Sequence, residues 1–298
     1  MITVRVPATS ANLGPGFDTL GIALQLFLQV AVETSPNGTR IIFCGDGEEL
    51  VEEETDNNLI KKAIDYVYAQ VGLNPPYLRM TIQNAIPIKR GLGSSAAAIA
   101  AGVFLGNELL NNPFTVDQLI KLAVDLEGHA DNIVPAIIGG LTTVLETEQG
   151  ILYHKVPVPG GLTAVVAVPD FTLSTEKSRS VLPPKTDLAY VKKNLQRACF
   201  LLAGMFHNDL HSINTAMEDF IYQPARKGLI PGFDKVVDEA IKAGALGVAL
   251  SGAGPSVIAF TVSNQDAIGR AMAAAFNNHG IKCRILHLQP SLEGVAFI

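Results

Sequence analysis

A glycine-rich loop that runs straight into an alanine-rich helix restricts this chain more than any other feature: Pro87-Ile88-Lys89-Arg90-Gly91-Leu92-Gly93-Ser94-Ser95-Ala96-Ala97-Ala98. Gly91 and Gly93 allow positive φ and let a ligand approach the backbone closely. Ser94 and Ser95 are good N-cap residues, and the alanine-rich run 96–101 is a strong helix former. The first turn of such a helix offers unpaired N–H groups and the positive end of the macrodipole, and Lys89 and Arg90 add charge beside it. A phosphate is the expected guest. The loose dinucleotide pattern Gly-x-Gly-x-x-Ala also fits Gly91, Gly93 and Ala96, but it should follow a strand directly and close a strand–helix–strand unit. Here Ala85-Ile86-Pro87 intervenes and a second helix follows. The Walker A pattern fails, because no Lys-Ser or Lys-Thr pair follows the glycines. A plain tight turn into a core helix stays open, although two serines and two cations at one helix start argue against it.

Composition narrows the class. A length of 298 residues suits one large domain or two of ordinary size. Hydrophobic residues make up 48% and charged residues 17%, enough apolar material for a packed core. A net charge of −6 without a local Lys/Arg cluster argues against nucleic-acid binding. The start, Met1-Ile2-Thr3-Val4-Arg5, lacks the charged and apolar regions of a secretory signal. No apolar run reaches the roughly 18 residues of a membrane span. Cys44, Cys199 and Cys283 are far apart and odd in number, which suits reduced thiols better than disulfides. The expectation is a cytoplasmic protein with neither membrane nor nucleic acid as partner.

Along the chain, residues 2–6 alternate and are rich in β-branched side chains, which predicts a strand; a loop over 7–18 follows. Residues 20–34 predict one extended or bent strand, 40–44 a partner for it, and the acidic run 47–56 a solvated loop. A helix over 59–71, capped by Asn57-Asn58, places Ile60, Ala63, Ile64, Val67 and Val71 on one face. A strand over 77–83 leads into the glycine loop, and a capping box at Thr115 and Gln118 opens a helix over 116–126. Gly139-Gly140 turns into a strand over 141–146. Prolines and glycines concentrate at 156–161, the expected domain boundary. Beyond it come a strand over 162–168, helices over 187–206, 210–220 and 233–243, and strands over 247–250 and 257–262. A helix over 265–277 and a strand over 282–288 complete the series. This interleaving predicts an α+β chain, with an antiparallel sheet carrying helices on one face.

Several stretches offer chemistry. Residues 7–18 place Ser10, Asn12 and Asp18 on a proline-stiffened segment, which suits a small polar ligand. Leu126-Glu127-Gly128-His129-Ala130-Asp131-Asn132 holds two carboxylates, an imidazole and an amide. A C-cap at Gly128 and an N-cap at Asp131 would account for two of these but leave Glu127, His129 and Asn132 without a task. Ser251-Gly252-Ala253-Gly254-Pro255-Ser256 is a second glycine-rich turn between apolar strands. His207 and His211 stand at helical spacing without the Glu of a zinc-protease motif, and a partly exposed pair is the better reading.

Taken in order, the loops over 7–18, 87–97 and 247–256 resemble the three motifs of the GHMP kinases, the galacto-, homoserine, mevalonate and phosphomevalonate kinases. The middle one, Pro-x-x-x-Gly-Leu-Gly-Ser-Ser-Ala-Ala, is quite specific. The form of the first loop is similar to that of members acting on the amino acid L-homoserine. So are Glu-Gly-His-x-Asp-Asn at 127–132, Thr-x-x-x-Arg at 175–179 and Pro-x-Arg at Arg226. The resemblance spans essentially the whole chain. It implies two domains, residues 1–155 like ribosomal protein S5 domain 2 and residues 156–298 ferredoxin-like, with the site between them. It implies transfer of the ATP γ-phosphoryl group to the hydroxyl of L-homoserine, a step toward threonine.

By the same resemblance, Pro87, Ile88, Lys89, Arg90, Gly91, Leu92, Gly93, Ser94, Ser95, Ala96 and Ala97 would wrap the ATP phosphates. Asn58 would lie near the nucleotide and Thr175 near the phosphates, while Ser95 and Glu127 would hold Mg²⁺ through oxygen. Asn12 and Asn132 would face the reacting hydroxyl, Asp18 the substrate ammonium, and Arg179 and Arg226 its carboxylate. His129 would border the same pocket. A homodimer is implied by resemblance alone. Mevalonate and galactose relatives carry an Asp as proposed base where this chain has Asn132, so transfer is expected without a side-chain base. A kinase for mevalonate or a related alcohol is the nearest rival reading, and a catalytically dead ligand-binding relative is another. Arg179, Arg226 and Asp18 favour a zwitterionic acceptor over the first. Intact Ser95, Glu127 and Lys89 speak against the second.

Overall fold

The computed structural model describes residues 1–46, 48 and 57–298. Its longest strand, β2 (Gly16–Thr34), is the spine of the larger sheet. The early part of β2 pairs with β5 (Leu141–Thr147), Leu20 opposite Thr143, and the later part with β4 (Leu78–Asn84), Leu28 opposite Asn84. β1 (Ile2–Asn12) runs antiparallel to it from Ile2 opposite Val32 to Asn12 opposite Gly16. Register shifts at Pro7/Ala8 and Ala11/Asn12 let the two strands bend together. β3 (Arg40–Gly45) lies outside β4, β6 (Gly150–Val156) outside β5, and the two-residue β11 (Ala296–Phe297) outside β1.

Two expectations are corrected here. The strand predicted over 2–6 continues to Asn12 and β2 begins at Gly16, so only residues 13–15 of the loop expected over 7–18 lie outside strands, with Pro7 accommodated at a register shift. Residues 40–44 do not pair with β2. Along that part β2 already has β1 on one side and β4 on the other, so β3 takes the free edge of β4, in parallel. The acidic run predicted over 47–56 lies, apart from Glu48, outside the described residues.

Four helices pack on this sheet and on one another: α1 (Leu59–Ala69), α2 (Ser94–Leu109), α3 (Val116–Glu127) and α4 (Ala130–Ile138). α1 buries Ile60, Ala63, Ile64 and Val67 as its periodicity predicts, while Val71 falls past its end and is exposed. α1 and α2 approach closely because α2 has no side chain at Gly102. A Cβ there would sit 2.5 Å from both the Ala63 methyl and the Ile60 carbonyl oxygen. Thr115 and Gln118 close both halves of the expected capping box on α3.

The smaller sheet has the antiparallel order β10 (Cys283–Leu288), β7 (Thr163–Pro169), β9 (Val257–Thr261), β8 (Gly247–Leu250). Every residue of β7 is buried. Val165 and Ala167 join a core with Val236 of α9 (Phe233–Lys242) and Ile268, Met272 and Phe276 of α10 (Gln265–Asn277). Ala164, Val166 and Val168 belong instead to the large core, with Leu201 and Met205 of α6 (Leu188–His207). This sheet is therefore covered on both faces rather than one. The helix predicted over 210–220 shrinks to α7 (Ile213–Ala216). Beyond it the Asp219 carboxylate accepts the N–H groups of Ile221, Tyr222 and Gln223, which opens α8 (Tyr222–Arg226). α5 (Thr175–Ser180) is a further short helix, capped by Ser174. The tail returns to the larger sheet: Gln25 N–H donates to Gln289, Ser291 N–H to Ala23, and Ile298 N–H to Thr3. Among the described residues no helix is long and apolar enough to cross a membrane.

Candidate active site

Loops from both sheets enclose a cavity of about 360 Å³. Ile88, Lys89, Arg90, Gly91 and Gly93 line it, followed by Ser94 and Ser95 from the first turn of α2. Gly91 and Gly93 take φ of 75° and 68°, and Lys89 takes 55°. The expected serine cap is not formed. Gly93 is the N-cap, no side chain caps the helix, and Ser95 Oγ instead donates to Glu127 Oε2 at 2.6 Å. The first-turn N–H groups of α2 thus face the cavity without a side-chain partner, as an anion site requires. The loop itself is pinned. Ser251 Oγ donates to the Gly91 carbonyl at 2.6 Å, Leu173 N–H to Lys89 at 3.1 Å, and Thr9 N–H to Leu92 at 3.1 Å. A Cβ on Gly91 would lie 2.2 Å from the Ser251 carbonyl oxygen, so the close approach of these loops needs glycine. Pro87, Leu92, Ala96 and Ala97 are buried beneath the loop and do not line the cavity. Asn58 caps α1 by accepting from Ile60 and Lys61 N–H, and its neighbour Leu59 reaches the cavity in its place.

Gly128 ends α3 at φ 87°, as expected, which turns the chain so that Glu127, His129, Asp131 and Asn132 all line the cavity. The N-cap of α4 is His129 rather than Asp131, which sits in the first turn. Asp131 is buried, and its Oδ1 accepts from Asn132 Nδ2 at 3.2 Å and lies 3.0 Å from His129 Nδ1. Thr9 Oγ1 donates to Asn132 Oδ1 at 2.8 Å, so the Asn132 amide is held at both ends. Burial pushes the Glu127 carboxyl up, and the Ser95 hydrogen bond and the nearby His129 offset this only in part. Burial alone would pull the His129 imidazole down, but the Asp131 hydrogen bond and the charges of Asp131 and Glu127 outweigh it and hold it above its ordinary value.

The opposite wall is built from charges brought together across the chain. Asn12, at φ 71°, donates to the Gly252 carbonyl at 3.0 Å and accepts from Asp18 N–H at 3.1 Å. Asp18 receives two parallel hydrogen bonds from Arg179, at 2.7 and 3.0 Å. That contact holds the Arg179 guanidinium above its ordinary pKa. Arg226 is buried and donates through Nε to Ser178 and through one terminal nitrogen to Gly252. Burial, then the neighbouring charge of Arg179, lowers its pKa. Thr175, at the start of α5, also lines the cavity. Phe17, Asp131, Leu173, Ser174 and the turn 252–254 line it as well, without having been singled out from sequence. Phe17 and Asp131 stand inside motifs already noted, and 252–254 inside the second glycine-rich turn. Leu173 carries no signal in the sequence.

The chain belongs to the GHMP kinase family: residues 58–140 match the model of the GHMP kinases N terminal domain, and residues 195–279 that of the GHMP kinases C terminal domain. Within that family, relatives similar over nearly the whole chain include homoserine kinases. The one from Moorella thermoacetica is 45% identical over 298 residues, covering 100% of both chains. The one from Carboxydothermus hydrogenoformans is 43% identical over 294 residues, 99% of this chain and 96% of the relative. The crystal structure of homoserine kinase from Cytophaga hutchinsonii superposes with a TM-score of 0.89 at 32% identity, over 100% of this chain and 97% of that one. Mevalonate kinase of L. major, solved with R-mevalonate, shares the fold, with a TM-score of 0.73 at 15% identity over 96% and 95% of the two chains.

Proposed function

We propose that the chain transfers the γ-phosphoryl group of ATP to the side-chain hydroxyl of L-homoserine, giving O-phospho-L-homoserine in threonine biosynthesis. The observation that carries this reading is the pairing of two unlike walls in one cavity. One is a helix N-terminus whose amides have no cap, fit for a polyanion. The other sets a carboxylate, Asp18, beside two guanidinium groups, Arg179 and Arg226, fit for a zwitterion. Mevalonate has no ammonium to meet Asp18, which disfavours the nearest rival.

The residues also suit Mg²⁺. Ser95 Oγ and Glu127 Oε2 are adjacent oxygens 2.6 Å apart, and burial pushes the Glu127 carboxyl up although its other oxygen lies 3.8 Å from His129 Nε2. Bound there, the ion would neutralise phosphate charge. The chain's own residues do the rest. Lys89, Arg90 and the α2 amides hold the phosphates; Arg179 and Arg226 hold the acceptor carboxylate; Asn12 and Asn132 orient its hydroxyl. The Asn132 amide, clamped by Thr9 and Asp131, offers the hydroxyl a hydrogen bond and no proton acceptor. Positioning and charge neutralisation carry the transfer, and the hydroxyl proton is lost to solvent without a side-chain base. We assign residues 1–155 to the N-terminal, ATP-binding GHMP kinase domain and 156–298, whose last residues return to the first sheet, to the C-terminal GHMP kinase domain, and place the enzyme in the cytoplasm, where its three free thiols stay reduced. ADP release measured with L-homoserine, with mevalonate and without acceptor tests the proposal. Turnover with homoserine alone is expected; turnover with mevalonate but not homoserine overturns it.

A further inference from the structure

We propose that Phe17 is a positioning residue: its ring is the platform that holds Arg179 and Arg226 side by side as a carboxylate clamp. This rests on the homoserine reading above and adds a residue to it. The Arg179 and Arg226 guanidinium carbons lie 5.2 and 5.1 Å from the centre of the same Phe17 ring. That ring stacks on Tyr222 with 3.9 Å between centroids and 14° between planes. Two cations brought this close repel: burial and then the Arg179 charge lower the Arg226 pKa, and the charges of Asp18, Asp219 and Asp131 offset this only in part. Arg179 has Asp18 as its counter-ion. Arg226 has only carbonyl acceptors, Ser178 and Gly252, and its remaining terminal nitrogen has no hydrogen bond to protein among the described residues. The negative face of an aromatic ring attracts both guanidinium groups without neutralising either. Arg226 therefore keeps its charge for a carboxylate, beside an Arg179 that Asp18 already pairs.

The platform is itself braced. Tyr222 opens α8, whose first turn is fixed by three N–H groups donating to Asp219, and the same short helix carries Arg226 four residues on. Phe17 precedes Asp18 in β2. The stack therefore ties the residue assigned to the ammonium to the helix that carries an arginine assigned to the carboxylate, and sets their spacing.

The test is steady-state kinetics of the full chain as Phe17→Leu, Phe17→Tyr and Tyr222→Leu, with two acceptors. One is L-homoserine; the other is 2-amino-1,4-butanediol, its analogue with a hydroxymethyl in place of the carboxylate. Phe17→Leu should raise KM for homoserine roughly tenfold while leaving KM for ATP within about twofold, and Phe17→Tyr should restore it. Tyr222→Leu should move KM for homoserine in the same direction by a smaller factor. With the diol the Phe17→Leu penalty should disappear, since no carboxylate needs the clamp. An unchanged KM for homoserine overturns the proposal, as does an equal penalty on both acceptors or a parallel rise in KM for ATP. A fold that collapses in Phe17→Leu leaves the decision to Tyr222→Leu under the same criteria. If the unmodified enzyme fails to phosphorylate homoserine, the parent reading fails instead, and the two failures are distinct.

Discussion

At the scale of single residues, the site is decided by which polar groups lack a partner until a ligand arrives. Glu127 is the sharpest case, a buried carboxylate whose pKa burial raises, with one hydroxyl donor and only the His129 imidazole, 3.8 Å away, as a counter-charge. Glu127→Gln is expected to lower kcat by roughly 10²- to 10³-fold and to raise the Mg²⁺ concentration needed for half-maximal rate. Near-normal turnover at limiting Mg²⁺ would remove Glu127 from the metal site. Arg226→Lys keeps the charge but loses the fork that reaches Ser178, Gly252 and a ligand together. KM for homoserine should rise at least tenfold, as measured by coupled ADP release; a value unchanged from wild type would show that charge alone suffices. These residues were legible because each stands in a short motif. Their pairings were not. Asp18 and Arg179 are 161 positions apart, and no local rule brings them into one ion pair. The serine cap failed for a related reason: Ser95 had a better partner, Glu127, 32 positions away.

At the scale of elements, the contact between α1 and α2 depends on a missing side chain. Gly102→Ala improves intrinsic helix propensity by about 1 kcal/mol. The new methyl, however, meets the Ile60 carbonyl and the Ala63 methyl at 2.5 Å, and backbone cannot step aside as a flexible side chain does. Overpacking of this kind costs about 1–3 kcal/mol, so the thermal midpoint should fall by a few degrees rather than rise. A rise would mean that the helices separate freely. Elements bounded by strong local signals were read to the residue: β8 between a glycine and the 251–256 turn, and α10 after Ser263-Asn264. β1 was cut short because Pro7 and the small residues after it look like a turn, and only pairing with β2 makes them a strand. The helix expected over 210–220 shrinks to α7 because apolar spacing continues there while Asp219 diverts the backbone.

At the scale of the whole molecule, the two sheets share the large core and both border the cavity, and the Asp18–Arg179 pair is one of the bonds that cross it. Its side chains remain 34% and 38% exposed, so solvent screens the pair and its share of stability is below about 1 kcal/mol. Asp18→Asn should therefore leave the thermal midpoint almost unmoved. The same change should raise KM for homoserine by about 30-fold or more, because the ammonium loses its counter-charge. A large drop in thermal midpoint with an unaltered KM would recast the pair as structural cement. The α+β class followed from the order of elements along the sequence. The return of residues 289–298 to the first sheet did not, since a two-residue strand has no periodicity to read.

That return has a consequence for how the protein is made. Val4 and Arg5 find their partners in Phe297 and Ala296, the far end of the described polypeptide. A nascent chain emerging from the ribosome must hold this flank of its first sheet bare until residues 296–297 have been made, and an uncovered flank is where sheets from different molecules adhere. Slow or interrupted synthesis therefore favours sticky partial products, and the flank is stitched shut only when residues 296–297 clear the exit tunnel.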